Sequence, residues 1–137
     1  MKVLAILAVL VFVLAGAAQA DWTFDEIRKA IRDKRPYPEI AALESKHYGR
    51  VIRGDGYFFK YTESQVITGY DVQILEDYSE HEKAFVGDVS VEIPKSISAY
   101  KEIPKMKPGD RVSFSGRLDD IFGKTIFLRG SASLERK

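Results

Sequence analysis

The sequence predicts a mainly β fold, a five-stranded Greek-key barrel preceded by one or two N-terminal helices. Three observations predict it. From His47 onward the hydrophobic period is 2, whereas before it the period is 3.6. Pro108-Gly109 is a turn signal that launches an alternating run, with Val112, Phe114, Gly116 and Leu118 on one side and Arg111, Ser113, Ser115 and Arg117 on the other. Gly49, Gly54 and Gly56 punctuate the first long alternating run, where a strand coils sharply or another group approaches its backbone.

Residues 1–20 read as an export leader. Met1-Lys2 is a short positive start, 3–14 are apolar without a break, and Ala-Gly-Ala-Ala-Gln-Ala ends at Ala20, where cleavage is expected. The apolar run is too short for the ~20 residues of a spanning helix. No Cys follows the small residues, which argues against a lipid anchor. The expectation is an exported, periplasmic or secreted protein with no transmembrane segment after cleavage. The chain has no Cys, so no disulfide holds it and a packed core must.

Residues 21–137 suit a single domain. The chain has 21 basic and 20 acidic side chains, and losing Lys2 with the leader makes them equal. That balance exerts no overall pull on a phosphate backbone. One of the eight Phe, Phe12, falls in the leader, and the other seven with seven Tyr and one Trp supply a modest core with aromatics to spare.

Residues 21–46 form the helical segment. Over 21–34, Phe24, Ile27 and Ile31 recur at helical spacing, Asp25 and Glu26 fall in the first turn, and Asp21 or Thr23 is placed to cap it. Arg28, Arg32 and Arg35 read as a solvated basic stripe. Pro36 and Pro38 end this helix, and a second, 39–46, brings Ile40 and Leu43 to the barrel as a lid or end plug.

The barrel domain is expected over 47–135. Its first strand is predicted at 48–61, with Ile52 and Phe58 inward and Arg53, Tyr57, Phe59 and Tyr61 outward. The second, 65–77, turns Val66, Tyr70, Val72 and Ile74 to the core and Asp71 and Gln73 away. The third, 84–93, buries Phe85, Val89, Val91 and Ile93 and leaves Asp88, Ser90 and Glu92 outside. Residues 94–107, with Ile97, Tyr100, Ile103 and Met106, predict a helical turn across the open end. The fourth strand follows the Pro-Gly turn, 119–124 connect it onward, and the fifth, 125–134, points Ile126, Leu128 and Leu134 inward and Phe127 and Arg129 outward.

Two stretches carry a family likeness: Tyr-Gly-Arg-Val-Ile-Arg-Gly-Asp-Gly-Tyr-Phe (48–58), and Met-Lys-Pro-Gly-Asp-Arg-Val-Ser-Phe-Ser-Gly-Arg-Leu (106–118) with Thr-Ile-Phe-Leu-Arg-Gly-Ser-Ala-Ser-Leu-Glu (125–135). Over 47–135 the chain resembles OB-fold proteins, and among them the small exported "tRNA_anti-like" family. The likeness implies an OB-type barrel; it implies nucleic acid only by analogy of fold.

The residues offer little to catalysis. His47 and His81 stand far apart, no Gly-x-Ser-x-Gly or His-Glu-x-x-His motif occurs, and Glu80-His81-Glu82 reads as a solvated loop. Asp119-Asp120 is explained by turn chemistry. No catalytic residue, metal or cofactor is expected. Binding is the stronger expectation, because OB barrels use the outer face of strands two and three with the flanking loops. The candidate ligand-binding residues are Arg53, Tyr57, Phe59, Tyr61, Asp71, Gln73, Asp88, Ser90, Arg117 and Phe122. Aromatics stack on flat ligands and Arg pairs with carboxylate or phosphate, yet Tyr57, Phe59 and Tyr61 equally suit packing under the helices. Outward Asp71, Asp88 and Glu92 disfavour nucleic acid. The expected partner is an envelope peptide, protein or glycan; the alternative is an interaction protein that works through its helices.

Overall fold

The computed structural model describes residues 23–137; the leader and the proposed Asp21 cap lie outside the described residues. Helix α1 covers 23–32. It closes on Lys34 (φ 53°), whose N–H donates to Ile31 O while Arg35 N–H donates to Ala30 O. These two bonds form a Schellman ending. Helix α2, Tyr37–His47, begins with Pro38 in its first turn, where proline's missing N–H costs nothing.

Six strands follow among the described residues: β1 Val51–Glu63, β2 Gly69–Leu75, β3 Val89–Pro94, β4 Arg111–Phe122, β5 Thr125–Leu128 and β6 Ser133–Arg136. The sheet order is β1-β2-β3-β5-β4-β6, and a β1–β4 pairing closes the first five into a ring. All neighbours are antiparallel except β3 and β5, which run parallel. Helix α3, Ala99–Glu102, and a 3-10 turn, Ile103–Lys105, join β3 to β4.

The predicted inward sets are the core: Ile52, Phe58, Val72, Ile74, Val89, Val91, Ile93, Val112, Phe114, Leu118, Ile126, Leu128 and Leu134 are all buried. From α1, Phe24, Ile27 and Ala30 join the same cluster, so the helix plugs the barrel, and Ile103 and Met106 of the β3–β4 connector join it too. Gly54 makes the plug possible. A Cβ there would stand 2.8 Å from the Phe114 ring and 2.9 Å from that of Phe24, which meets Phe114 edge-on at 5.4 Å. At the turn before β4, Gly109 (φ 96°) lets Asp110 N–H reach Lys107 O, as the Pro-Gly signal requires.

Several expectations are corrected. The predicted fifth strand is two, because Gly130 (φ 81°) and Ser131 (φ 47°) break it; both pieces pair with β4. Strand β4 runs on to Phe122, so the connection to β5 is only Gly123-Lys124 rather than 119–124. Strands β2 and β3 are shorter than the alternating runs suggest. Val66 and Phe85 fall in loops outside the ladder, and Phe85 is 89% exposed instead of inward.

The basic stripe is also not all solvated. Arg28 is 4% exposed. Its Nε and Nη2 donate to Glu76 Oε2 and its Nη1 to Lys124 O, with Asp88 Oδ1 at 3.4 Å. Arg32 also donates to Glu76. One guanidinium thereby ties the plug to the end of β2, the start of β3 and the β4–β5 turn.

Candidate functional site

The ten candidate residues do not form one patch. A β-bulge at Phe59 divides them. Before it, Tyr57 lies on the outer face opposite Leu75; after it, Lys60 faces Gln73 and Tyr61 faces Val72. Tyr61 therefore belongs to the core side, at the rim, beside Phe58 and Tyr70. This corrects its predicted outward orientation, since one extra residue flips every later side chain. Tyr70 in turn stacks on Tyr100. Phe59 sits beneath the Lys60 ammonium, which donates to Phe85 O.

Tyr57 packs beside Tyr78, whose ring stacks on His81, and Arg111 lies over the Tyr57 ring. Phe24, Ile27 and Ala30 of α1 and Ile40 of α2 belong to the core cluster, while Tyr57 has its ring contact with Tyr78 and Tyr61 with Phe58 and Tyr70.

Arg53 and Arg117 occupy the outer face of β1 and β4. Arg53 stands opposite Ser115, and Arg117 donates to Ser131 Oγ and Gly49 O. Phe122 projects from the β4–β5 tip. Asp88 is a structural anchor: its Oδ2 accepts from Glu76 N–H and its backbone carbonyl from Ile126 N–H.

What the register does bring together is on β2 and β3. Gln73 stands opposite Ser90, and Asp71 opposite Glu92. Ser90 and Glu92, expected to be exposed, are 8% exposed each. Gln73 Oε1 accepts from Gly87 N–H at 2.6 Å, pinning the loop before β3. Beside this row, Arg129 Nε lies 3.4 Å from Glu92 Oε2, and its Nη1 3.4 Å from Asp119 Oδ2. Asp119 reaches it because β4 bulges between Leu118 and Asp120.

Burial pushes the Glu92 carboxyl above its ordinary range; Arg129 opposes the shift, and Asp71 and Asp119 add to it. Burial likewise raises Asp71, against the pull of Arg129. Glu92 and Asp119 were absent from the candidate set. The outward parity of Glu92 was readable, but its pairing with Asp71 needed the register.

No family model, curated protein or solved structure matches this chain. The chemistry must be read from its own side chains. Among the described residues, no group of three or more His, Cys, Asp or Glu is arranged to hold a metal ion, and no helix is long and apolar enough to cross a membrane. His47 is buried with its Nε2 3.4 Å from Glu26 Oε2, and His81 is committed to Tyr78. The outer face of β2 and β3 sets carboxylate, amide and hydroxyl groups side by side, with Ser90 and Glu92 nearly covered and the Gln73 carbonyl bonded to Gly87 N–H.

Proposed function

We propose that this protein is an exported OB-type binding module, acting in the periplasm or outside the cell, that holds a peptide, protein segment or glycan against the outer face of β2 and β3. The strand order supports the OB-type reading. A ring of β1-β2-β3-β5-β4 with a parallel β3–β5 pair, and a helical connector between β3 and β4, is what a five-stranded Greek-key barrel of that type needs, with β6 as the continuation of β5. The likeness to the small exported "tRNA_anti-like" proteins fits the same reading.

The observation that carries the binding proposal is the row Asp71, Gln73, Ser90 and Glu92, aligned by register on the two strands that such barrels use for ligands. The helix-mediated alternative is weaker, since α1 spends Phe24, Ile27 and Ala30 on the core. A nucleic-acid ligand is disfavoured by the carboxylates on this face.

Amide chemical-shift mapping of the whole protein with tri-alanine, chitotriose and oligo-dT tests the proposal. Peptide or sugar is expected to move signals of Asp71, Gln73 and Ser90 and of the 64–68 loop. Changes confined to α1 and α2 would overturn it in favour of the helices, and oligo-dT binding that weakens steeply with salt would overturn it in favour of nucleic acid.

A further inference from the structure

Strand β6 has one free edge. Lys137 N–H donates to Arg111 O, so in the β4–β6 register Ser113 with Glu135 and Ser115 with Ser133 are the hydrogen-bonded pairs. The even-numbered groups of β4 turn the other way, to β1, as Leu118 N–H donating to Arg50 O illustrates. The N–H and C=O groups of Leu134 and Arg136 therefore point away from β4. No strand lies on that side, because β6 ends the sheet order and β3 pairs with β5 only as far as Val91 with Leu128. Among the described residues nothing bonds to these groups. Leu134 is only 7% exposed, and the backbone groups of so covered a residue are ordinarily paired. The edge also borders a cleft of about 1390 Å³, lined by Leu134, Glu135 and Arg136 of β6 and by Ser98, Ala99 and Glu102 of the β3–β4 connector. Small-molecule pockets run to roughly 300–1,000 Å³, so the space suits an extended chain better than a compact ligand.

We propose that β6 accepts an extended peptide as an added strand in this cleft, one in which apolar residues alternate with basic ones. The site is separate from the β2–β3 face and does not depend on it. An open row of main-chain donors and acceptors is complemented by another main chain, which a sugar or a flat ligand cannot supply in register. The side chains then set the alternation. Leu134 belongs to the core cluster, so the guest residue on its side of the sheet is apolar. Glu135 is exposed on the other side and has no ion-pair partner among the described residues, so the guest residue beside it is a lysine or arginine.

The test is titration of the whole protein with capped Val-Lys-Val-Lys-Val, its glutamate counterpart Val-Glu-Val-Glu-Val, and two N-methylated forms of the first, one methylated on the valines and one on the lysines. Calorimetry, amide shifts and amide hydrogen exchange are the readouts. The lysine peptide is expected to bind at least tenfold more tightly than the glutamate peptide, to move the signals of Ala99, Leu134 and Arg136, and to slow exchange of the Leu134 and Arg136 amides. Only one of the two methylated forms is expected to lose at least tenfold, because alternate N–H groups of a strand point to one edge. Arg136→Pro removes an open-edge N–H while the Glu135 and Lys137 bonds to β4 stay, and is expected to weaken binding at least tenfold. Arg136→Ala keeps that N–H and is expected to stay within threefold of the parent. If Arg136→Pro fails to fold, the methylated pair still decides. Leu134 and Arg136 amides already protected in the free protein, both methylated forms binding alike, or no binding by any peptide overturns the proposal. Shifts confined to Asp71, Gln73 and Ser90 overturn it in favour of the β2–β3 face, and a dimer that Arg136→Pro abolishes overturns it in favour of a second copy of this chain.

Discussion

Ile27 decides whether α1 is a plug or an ornament. Its side chain is 0% exposed and belongs to the core cluster with strands from all sides of the ring. Ile27→Ala removes three carbons, about 2.4 kcal/mol of transfer energy at ~0.8 kcal/mol per buried methylene. The cavity left in a closed ring collapses poorly, so the total is expected near 3 kcal/mol, within the roughly 2–5 kcal/mol range for such changes. With a urea slope of ~2 kcal/mol per molar, the midpoint falls by ~1.5 M. Urea unfolding followed by far-ultraviolet circular dichroism measures it, with exposed Lys29→Ala as a control expected within ~0.5 kcal/mol. A loss below ~1 kcal/mol for Ile27→Ala would show that the barrel closes without the helix, and the end-plug account would fail.

Two further outcomes follow from the same packing. Phe85→Ser is expected to leave stability within ~0.5 kcal/mol, while Phe58→Ala costs ~3–5 kcal/mol; equal losses would mean that the 84–88 loop is packed inward after all. The pH dependence has two opposite parts. Lys137 and Ser113 hold the Asp55 carboxyl below its ordinary range, so its contribution is present at neutral pH and is lost as pH falls through its folded pKa. Glu92 is raised by burial, so its ionised form costs stability at neutral pH, and that cost disappears as pH falls toward the ordinary carboxylate range. Asp55→Asn should therefore melt below the parent at pH 7, and Glu92→Gln above it, with both differences shrinking toward pH 3. A Glu92→Gln difference that stays constant across that range would refute the burial argument.

Local rules made much of this fold legible. The inward sets Val112, Phe114 and Leu118, and Val89, Val91 and Ile93, follow from period 2 alone, and Pro108-Gly109 announced a turn that Gly109 then makes. What local rules cannot carry is the count along a strand. Nothing in Gly-Tyr-Phe-Phe-Lys-Tyr marks Phe59 as the bulged residue, yet that single insertion turns Tyr61 to the core side. Val66 and Phe85 continue an alternation, but the ladder ends before them, and exposure is decided by whether a partner strand exists. Arg28 was misread for a related reason: its partners, Glu76 and Lys124, lie 48 and 96 residues away. Within the candidate site, the parity of Asp71, Gln73, Ser90 and Glu92 was visible, while their pairing and the arrival of Asp119 and Arg129 depend on register and on a second bulge.

Two ionic clusters among the described residues differ in how closely they are satisfied. Around Arg28, each guanidinium nitrogen donates to a protein oxygen, and Glu76 is also held by Arg32; nothing is left for a ligand to supply. Breaking such a cluster strands a charge, so its value is architectural. Around Arg129 the contacts are longer. Glu92 and Asp119 share the half-exposed Arg129 at 3.4 Å each, and Asp71 stands opposite Glu92 across the strands. A threonine or lysine opposite Asp71 would serve the sheet better than a glutamate does. Arg28 is therefore expected to matter more to stability than Arg129, whose side chain stays half in water and pairs only at 3.4 Å.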